Sequence, residues 1–285
     1  MEAIRVEGLT KQYQNFRLDD ITFSVPMGTI VGFIGENGAG KTTTIKAMLG
    51  LIRRETGSVE LLGHGIQEEN GAWKEEIGVV FDESCFPENL TPLDVEKILR
   101  RVYKNWDSQV YHRYLERFEL PEKKRMKEMS RGMKMKFSLT VALSHHARLL
   151  ILDEATSGLD PVVRSEILDL FLEFIQDEEH TIFLSSHITS DIEKISDYIL
   201  FLHQGRILLY ENKDTLTYQY GLVRGSENQL LGIPREHCKG MRKNAFGCEI
   251  LVDNREELEG TKQYVVDRIT LDDLMIFLAK DGVQV

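Results

Sequence analysis

The segment Gly35–Thr42 has the G-x-x-x-x-G-K-T spacing of a phosphate-binding loop. An apolar run at 29–34 precedes it and predicts a buried strand, and residues 43–49 predict a helix. The motif requires this strand–loop–helix context. Its glycines let backbone N–H groups point at phosphate oxygens, and the helix N-terminus adds the positive end of a dipole. The chain is therefore predicted to contain an α/β nucleotide-binding core.

Two side chains of the loop have predicted roles toward a nucleotide. Lys41 reaches the β- and γ-phosphates, and the Thr42 hydroxyl ligates Mg²⁺. We predict that the whole loop and the residue after it bind ATP. The predicted residues are Gly35, Glu36, Asn37, Gly38, Ala39, Gly40, Lys41, Thr42 and Thr43.

A second apolar run, at 149–152, ends in the carboxylates Asp153 and Glu154. A strand here carries Asp153 to the edge of the sheet, where its carboxylate can hold the Mg²⁺ shell. Glu154 is the predicted general base that polarises the attacking water. A third apolar run, at 181–184, leads through two serines to His187.

Two further motifs complete an ordered series. Met129–Met133 opens a helical pattern that continues through Leu143, and Ser157–Asp160 follows Glu154 closely. The five motifs in this order resemble the nucleotide-binding domain of ABC transporters over residues 1 to about 210. The resemblance implies a RecA-like P-loop core with a helical subdomain and ATP hydrolysis with Mg²⁺.

The resemblance also implies roles for individual residues. Tyr13 occupies the position of an aromatic that stacks under adenine, although it also suits an ordinary strand edge. Ser130 and Gly132 match positions that contact the γ-phosphate bound by the opposite subunit. Asp160 matches the D-loop aspartate, and His187 matches the switch histidine that contacts the γ-phosphate.

Several positions depart from the family pattern. Asp82 stands where the Q-loop glutamine is expected, and we predict that it takes that catalytic and Mg²⁺-binding role unless the neighbouring Glu83 does. Arg131 and Met133 replace Gly and Gln of the signature, and Ala155 replaces the proline after the general base. Arg131 is interpreted as an exposed charge or a phosphate contact. None of these changes removes Glu154, so hydrolysis is still expected.

The net charge of −11 argues against a nucleic-acid partner. Cys85, Cys238 and Cys248 show no metal-binding spacing and predict reduced thiols. No signal peptide is visible, and no apolar run approaches the roughly 18 residues of a spanning helix. A transporter subunit of this kind is expected to lie in the cytoplasm, peripheral to the inner face of the membrane, with its permease on a separate chain.

Three regions are expected along the chain. Residues 1–85 and 146–210 form the RecA-like core, residues 86–145 the helical subdomain with the signature, and residues 211–285 a small α/β appendage. A helix is predicted to start at Pro92 after Thr91. In the family, the segment 86–93 receives the permease, although its apolar residues also suit local packing. The appendage is open to two interpretations: packing against the core, or dimerisation and regulation.

Two elements are predicted within the appendage. Residues 248–252 predict a strand. Thr270 is predicted to begin a capped helix whose apolar face carries Leu271, Leu274, Met275 and Leu278.

The signature variant resembles a branch of bacterial exporter ATPases for antimicrobial and cytolytic peptides, such as phenol-soluble modulins. The predicted function is thus an ATPase subunit that dimerises around two Mg-ATP to drive an exporter. A homodimer is expected rather than a heterodimer. The alternatives are a soluble ABC ATPase acting on ribosomes or DNA, and an importer ATPase.

Overall fold

The computed structural model describes residues 1–67, 71–230, 232–244, 247–261 and 264–280. The strands are β1 (Glu2–Gln12), β2 (Arg17–Pro26), β3 (Ile30–Ile34), β4 (Thr56–Leu61), β5 (His64–Gly65), β6 (Ile77–Val80), β7 (Leu149–Asp153), β8 (Thr181–Ser186), β9 (Tyr198–His203), β10 (Arg206–Asn212), β11 (Gly221–Gly225), β12 (Cys238–Asn244), β13 (Gly247–Val252) and β14 (Val266–Arg268). The helices are α1 (Lys41–Met48), α2 (Pro92–Val102), α3 (Ser108–Arg117), α4 (Arg131–Leu143), α5 (Pro161–Phe174), α6 (Thr189–Ile195), α7 (Lys213–Gln219), α8 (Glu227–Leu230), α9 (Arg255–Thr261) and α10 (Leu271–Lys280).

The central sheet has six strands in the order β10-β9-β3-β8-β7-β6. All neighbouring pairs are parallel except β10 with β9. Every residue of β3, β7 and β8 is buried, as expected for parallel strands covered on both faces. Asp153 pairs with Ser185, and Ile34 pairs with Ser186. The segments that follow these three strands therefore begin side by side at one edge of the sheet.

A second sheet, β2-β1-β4-β5, packs on one face of the central sheet. The rings of Phe23 in β2 and Phe183 in β8 stack with their centroids 5.6 Å apart. Ile45 and Met48 of α1 are buried in the same apolar cluster. Helix α1 is thereby held between the two sheets, which fixes the loop that leads into it.

Helices α2 to α4 form the helical region. Helix α2 starts at Pro92 as predicted, because the Thr91 side chain accepts from the Asp94 N–H and closes a capping box. Phe86 meets Phe137 of α4 edge to face, with centroids 4.9 Å apart. This contact ties the segment after β6 to the signature helix.

The C-terminal residues form a four-stranded antiparallel sheet, β12-β13-β11-β14, with helices α8, α9 and α10. The predicted strand at 248–252 and the predicted helix after Thr270 are both confirmed by β13 and α10. The Thr270 hydroxyl accepts from the Asp273 N–H at 3.1 Å and caps α10. The sequence analysis placed Leu271, Leu274, Met275 and Leu278 on one face of this helix, and the structure adds the fully buried Phe277.

The appendage shares core with the rest of the chain. Leu222, Leu251, Leu271, Leu274 and Phe277 belong to the same buried cluster as the central sheet and α4. The proposed boundary after residue 210 falls inside β10, which continues to Asn212. Within the described ranges, no helix combines the length and apolar character needed to cross a bilayer.

Candidate functional site

The loop between β3 and α1 curls over the N-terminus of the helix. Gly38 and Gly40 have φ values of 84° and 112°, in the left-handed region that glycine adopts readily. A Cβ at Gly40 would lie 2.5 Å from Cζ of Phe16, so this position also lacks room for a side chain. Lys41 is buried, and its Nζ donates to the carbonyl of Gly35 at 2.7 Å. The loop therefore holds its lysine against its own backbone.

A cavity of about 560 Å³ opens over this loop, within the usual size of small-molecule sites. Its lining combines the phosphate loop with residues from five other segments. The lining residues are Phe16, Glu36, Asn37, Gly38, Gly40, Lys41, Thr42, Thr43, Asp82, Arg131, Glu154, Ser157 and His187. The three predicted catalytic residues, Asp82, Glu154 and His187, thus share one cavity with most of the predicted phosphate loop.

Glu154 lies between two nitrogen-bearing side chains. One carboxylate oxygen is 3.3 Å from Nζ of Lys41, and the other is 2.6 Å from Nδ1 of His187. The backbone N–H of Glu154 donates to the Ser185 carbonyl at 3.1 Å, where β7 runs beside β8. Glu154 also has a φ of 55°, which is uncommon for a residue with a side chain and is found at functional sites. The end of β7 therefore aims this carboxylate at the phosphate loop.

Asp153 is 3% exposed and accepts a hydrogen bond from the Ser185 hydroxyl at 2.6 Å. Its second oxygen and the Thr42 hydroxyl are hard oxygen donors, the kind of ligand that Mg²⁺ prefers. Mg²⁺ commonly uses one or two protein ligands and takes the rest from water and substrate phosphates. The donor set of Thr42 and Asp153 fits this ion.

Asp82 and Arg131 form an ion pair across the mouth of the cavity. Arg131 is the first residue of α4, and Asp82 follows β6, so the pair connects the helical region to the central sheet. Neither sequence interpretation of Arg131 paired it with Asp82. Both residues depart from the family pattern and carry opposite charges, and this could have indicated the ion pair.

Ser130, Gly132 and Asp160 do not line the cavity of their own chain. Ser130 caps α4 by accepting from the Met133 N–H at 3.2 Å, and Asp160 caps α5 by accepting from two N–H groups at 3.1 Å. A Cβ at Gly132 would lie 3.4 Å from a methyl of Val163 in α5. The starts of α4 and α5 are therefore packed together, and both present capped N-termini.

Tyr13 also lies outside the cavity lining. It is 43% exposed, and Nζ of Lys11 lies 5.2 Å from the centre of its ring. The aromatic that does line the cavity is Phe16, which the sequence analysis missed. The Tyr13 N–H donates to the Phe16 carbonyl at 2.7 Å, so the two rings flank one turn. The sequence offered one clue to this role, because Phe16 is a second aromatic only three residues after Tyr13.

Gly35, Ala39 and Asp153 do not line the cavity, although they belong to the same loop and strand edge. Ala39 is buried, and its carbonyl accepts from the Gly205 N–H at 3.0 Å. These three residues are direct sequence neighbours of lining residues. Ser157, in the segment before α5, is the remaining lining residue that was not predicted.

Comparison with known proteins identifies the family. The sequence model described as ABC transporter matches residues 18–157. A bacitracin transport ATP-binding protein of Bacillus licheniformis is 36% identical over 208 residues, covering 72% of this chain and 68% of that protein. The chain belongs to the ABC transporter ATP-binding proteins. It is thus an ATP-binding, ATP-hydrolysing transporter subunit, and the resemblance found in the sequence is confirmed.

Two further similarities agree with this ABC ATPase assignment. A lantibiotic transport ATP-binding protein of Streptococcus pyogenes is 31% identical over 214 residues, covering 74% of this chain and 91% of that protein. A solved ATP-binding subunit of an ABC transporter superposes with a TM-score of 0.68 at 27% identity, covering 76% of this chain and 92% of that one. The predicted fold class is also confirmed.

Proposed function

We propose that this ABC ATPase subunit uses ATP hydrolysis at the phosphate-loop cavity to drive peptide export through a separate permease. The observation that carries the catalytic part is the Glu154 carboxylate, held between Lys41 and His187 beside the phosphate loop. Relatives named for bacitracin and lantibiotic transport support a peptide as cargo.

Phosphate binding rests on the loop and the start of α1. The backbone N–H groups of the loop and the helix N-terminus attract negative charge. Lys41 adds a full positive charge inside the cavity, where low exposure strengthens its interaction with phosphate oxygens. Phe16 and Tyr13 flank the turn nearest this loop, and one or both provide the surface for adenine.

The hydrolytic step uses Glu154 as the general base. Water forms a bond to the terminal phosphorus, its proton passes to the Glu154 carboxylate, and the bond from phosphorus to the ADP oxygen breaks. His187 holds Glu154 through the 2.6 Å contact and faces the same cavity, so it can orient both the base and the terminal phosphate.

Thr42 and Asp153 are the proposed ligands for Mg²⁺. When bound, the ion neutralises charge on the terminal phosphates. The Ser185 hydroxyl fixes one oxygen of Asp153, and the other oxygen would be the one available to hold the ion. Asp82 keeps its predicted role as a further Mg²⁺ ligand once its carboxylate leaves Arg131 and binds the ion instead.

A second copy of the chain completes the active unit in this proposal. Ser130, Gly132 and Asp160 lie at exposed or half-exposed helix starts, outside the cavity of their own chain. When the phosphate loop of a second copy lies against these helix starts, the positive N-terminal end of α4 faces the terminal phosphate of the nucleotide bound by that copy. A homodimer with two shared Mg-ATP sites follows.

The permease docks on the groove beside Asp82. This groove has a volume of about 460 Å³ and lies between the segment after β6 and helix α4. Its lining residues are Phe81, Asp82, Glu83, Ser84, Phe86, Glu88, Met126, Arg131, Lys134, Met135 and Ser138. Because Asp82 and Arg131 line both the groove and the cavity, a docked permease segment contacts the catalytic site directly. The subunit then sits at the inner face of the membrane.

Copurification tests this assignment. The chain should be isolated from mild detergent with a membrane permease, and that permease should raise its ATPase rate. Phe86→Asp, on the groove, should reduce both copurification and stimulation while the isolated subunit still binds ATP. Leu51→Asp, an exposed apolar site outside the groove, is the matched control. Copurification with ribosomes or with a solute-binding protein would contradict the exporter assignment.

A further inference from the structure

Arg131 is placed where it can act on a nucleotide bound by its own chain. It lines the cavity together with Lys41, and among the cavity-lining residues of the described structure these two carry permanent positive charge. Lys41 is already engaged by the Gly35 carbonyl and by Glu154. Arg131 is half exposed, and its ion-pair partner is the similarly exposed Asp82. The Arg131 charge is therefore the more accessible of the two.

The guanidinium packs against the segment that follows Glu154. A Cβ at Gly158 would lie 2.8 Å from Cζ of Arg131, so the guanidinium packs against the backbone of this glycine. Gly158 follows Ser157, another lining residue, and lies four residues after Glu154. Arg131 thus packs against the segment that follows the general base and shares the lining of one cavity with Glu154 and the phosphate loop.

The chemistry of arginine suits this position. A guanidinium presents a planar fork of donors that matches the oxygens of a phosphate group, as it matches those of a carboxylate. The Asp82 carboxylate and the terminal phosphate of ATP therefore compete for the same donors. A diphosphate, which lacks the reacting phosphate, leaves the pair of Asp82 and Arg131 undisturbed.

We propose that Arg131 is a specificity-determining residue that binds the terminal phosphate of ATP within the same chain, and that Asp82 tunes this affinity by competing for the guanidinium. Arg131 then distinguishes ATP from ADP, and its transfer to phosphate frees the Asp82 carboxylate. This inference rests on the proposed ATP site at the phosphate loop.

The test compares affinities for β,γ-imido-ATP and ADP by calorimetric titration of the full chain. The chain concentration is set where light scattering reports a monomer, so that contacts from a second copy do not contribute. Arg131→Ala should weaken binding of the triphosphate analogue about tenfold or more, the usual loss for a charge-assisted hydrogen bond. ADP binding should change less than about twofold, because ADP makes no such bond. Arg131→Lys should recover part of the loss.

The companion variant gives the opposite sign. The titration of this variant is done without Mg²⁺, so that the proposed metal-ligand role of Asp82 does not contribute. Asp82→Asn removes the competing charge, so it should then tighten binding of the triphosphate analogue, and Asp82→Asn with Arg131→Ala should lose that gain. Arg117→Ala removes a comparable exposed ion pair, with Glu173, outside the cavity and should match the parent. Circular dichroism confirms that each variant is folded.

Several outcomes overturn the proposal. Unchanged triphosphate affinity in Arg131→Ala would show that the ion pair serves structure alone. Equal losses for both nucleotides would show a general electrostatic effect, and weaker binding by Asp82→Asn without Mg²⁺ would exclude competition. Failure of the underlying ATP site looks different: the parent itself would bind neither nucleotide, or Lys41→Ala would bind both as the parent does.

Discussion

Nδ1 of His187 lies 2.6 Å from a carboxylate oxygen of Glu154, although the two residues follow different strands, β8 and β7. Strands β7 and β8 are parallel neighbours, so the residues that follow them meet at one edge of the sheet. The proposed base is therefore held by the residue that the family resemblance names as the switch.

His187→Ala removes the imidazole that contacts Glu154 and lines the proposed phosphate cavity. Turnover should fall about 100-fold or more, the usual contribution of a positioned acid–base group. ATP affinity should remain near that of the parent, because the phosphate loop is intact. Steady-state ATPase assays and equilibrium binding measure the two effects. His112→Ala changes an exposed histidine outside the cavity and is the control; a parent-like rate for His187→Ala would exclude the proposed role.

Alanine substitutions of Lys41 and Ser130 should affect nucleotide affinity and ATP turnover differently. Lys41→Ala removes a charge that acts within its own cavity, so nucleotide affinity should drop. Ser130→Ala removes a hydroxyl at the start of α4 that serves the partner's nucleotide, so the loss should appear mainly in turnover. Binding isotherms and ATPase rates separate the two. Equal losses of affinity in both variants would contradict action across a dimer.

The apolar strands β7 and β8 made part of the site predictable from the sequence. Residues 149–152 and 182–184 are uniformly apolar, and the polar residues that follow them mark the site. Asp153 and Glu154 were found from this pattern, and His187 was found from the pattern together with the family resemblance. The pairing of Asp82 with Arg131 was not found, since it joins positions 49 residues apart. Such a contact depends on how the helical region packs on the sheet, which local periodicity does not encode.

The C-terminal appendage illustrates the same limit at the level of packing. Its strand and helix were predicted, whereas packing against the core was one of two interpretations that the sequence left open. Phe277 is 1% exposed in the cluster shared with the central sheet. Phe277→Ala should cost about 3–5 kcal/mol of unfolding free energy. Met241→Ala, at an exposed site of the same appendage, should change it by less than about 0.5 kcal/mol.

Denaturant unfolding of the whole chain measures both variants. Phe277→Ala should shift the main transition, because the appendage shares its core with the central sheet and the Thr189 hydroxyl also donates to Asp272 at 2.7 Å across the junction. A separate early transition, with the main one unmoved, would show that the appendage unfolds alone.

His145 predicts a pH dependence of stability. Burial lowers its pKa, and its ring stacks on Tyr103 with centroids 4.1 Å apart. The unfolded chain therefore binds this proton at a pH where the folded chain does not, and stability falls as the pH drops below the ordinary value of about 6.5. His145→Phe keeps the stack and removes the proton site. The loss of unfolding free energy between neutral and mildly acidic pH should shrink in this variant; an unchanged loss would remove His145 as its cause.

The central claim is that Glu154 is the base of an ATP site completed by a second copy of the chain. The direct measurement is ATP binding, ATP turnover and light scattering with Mg-ATP for Glu154→Gln. The amide cannot accept the proton of the attacking water, so hydrolysis should nearly vanish while ATP binding persists. The variant should then accumulate as an ATP-bound dimer. Hydrolysis at the parent rate would contradict the assignment of Glu154, and a monomer saturated with Mg-ATP would contradict the shared site.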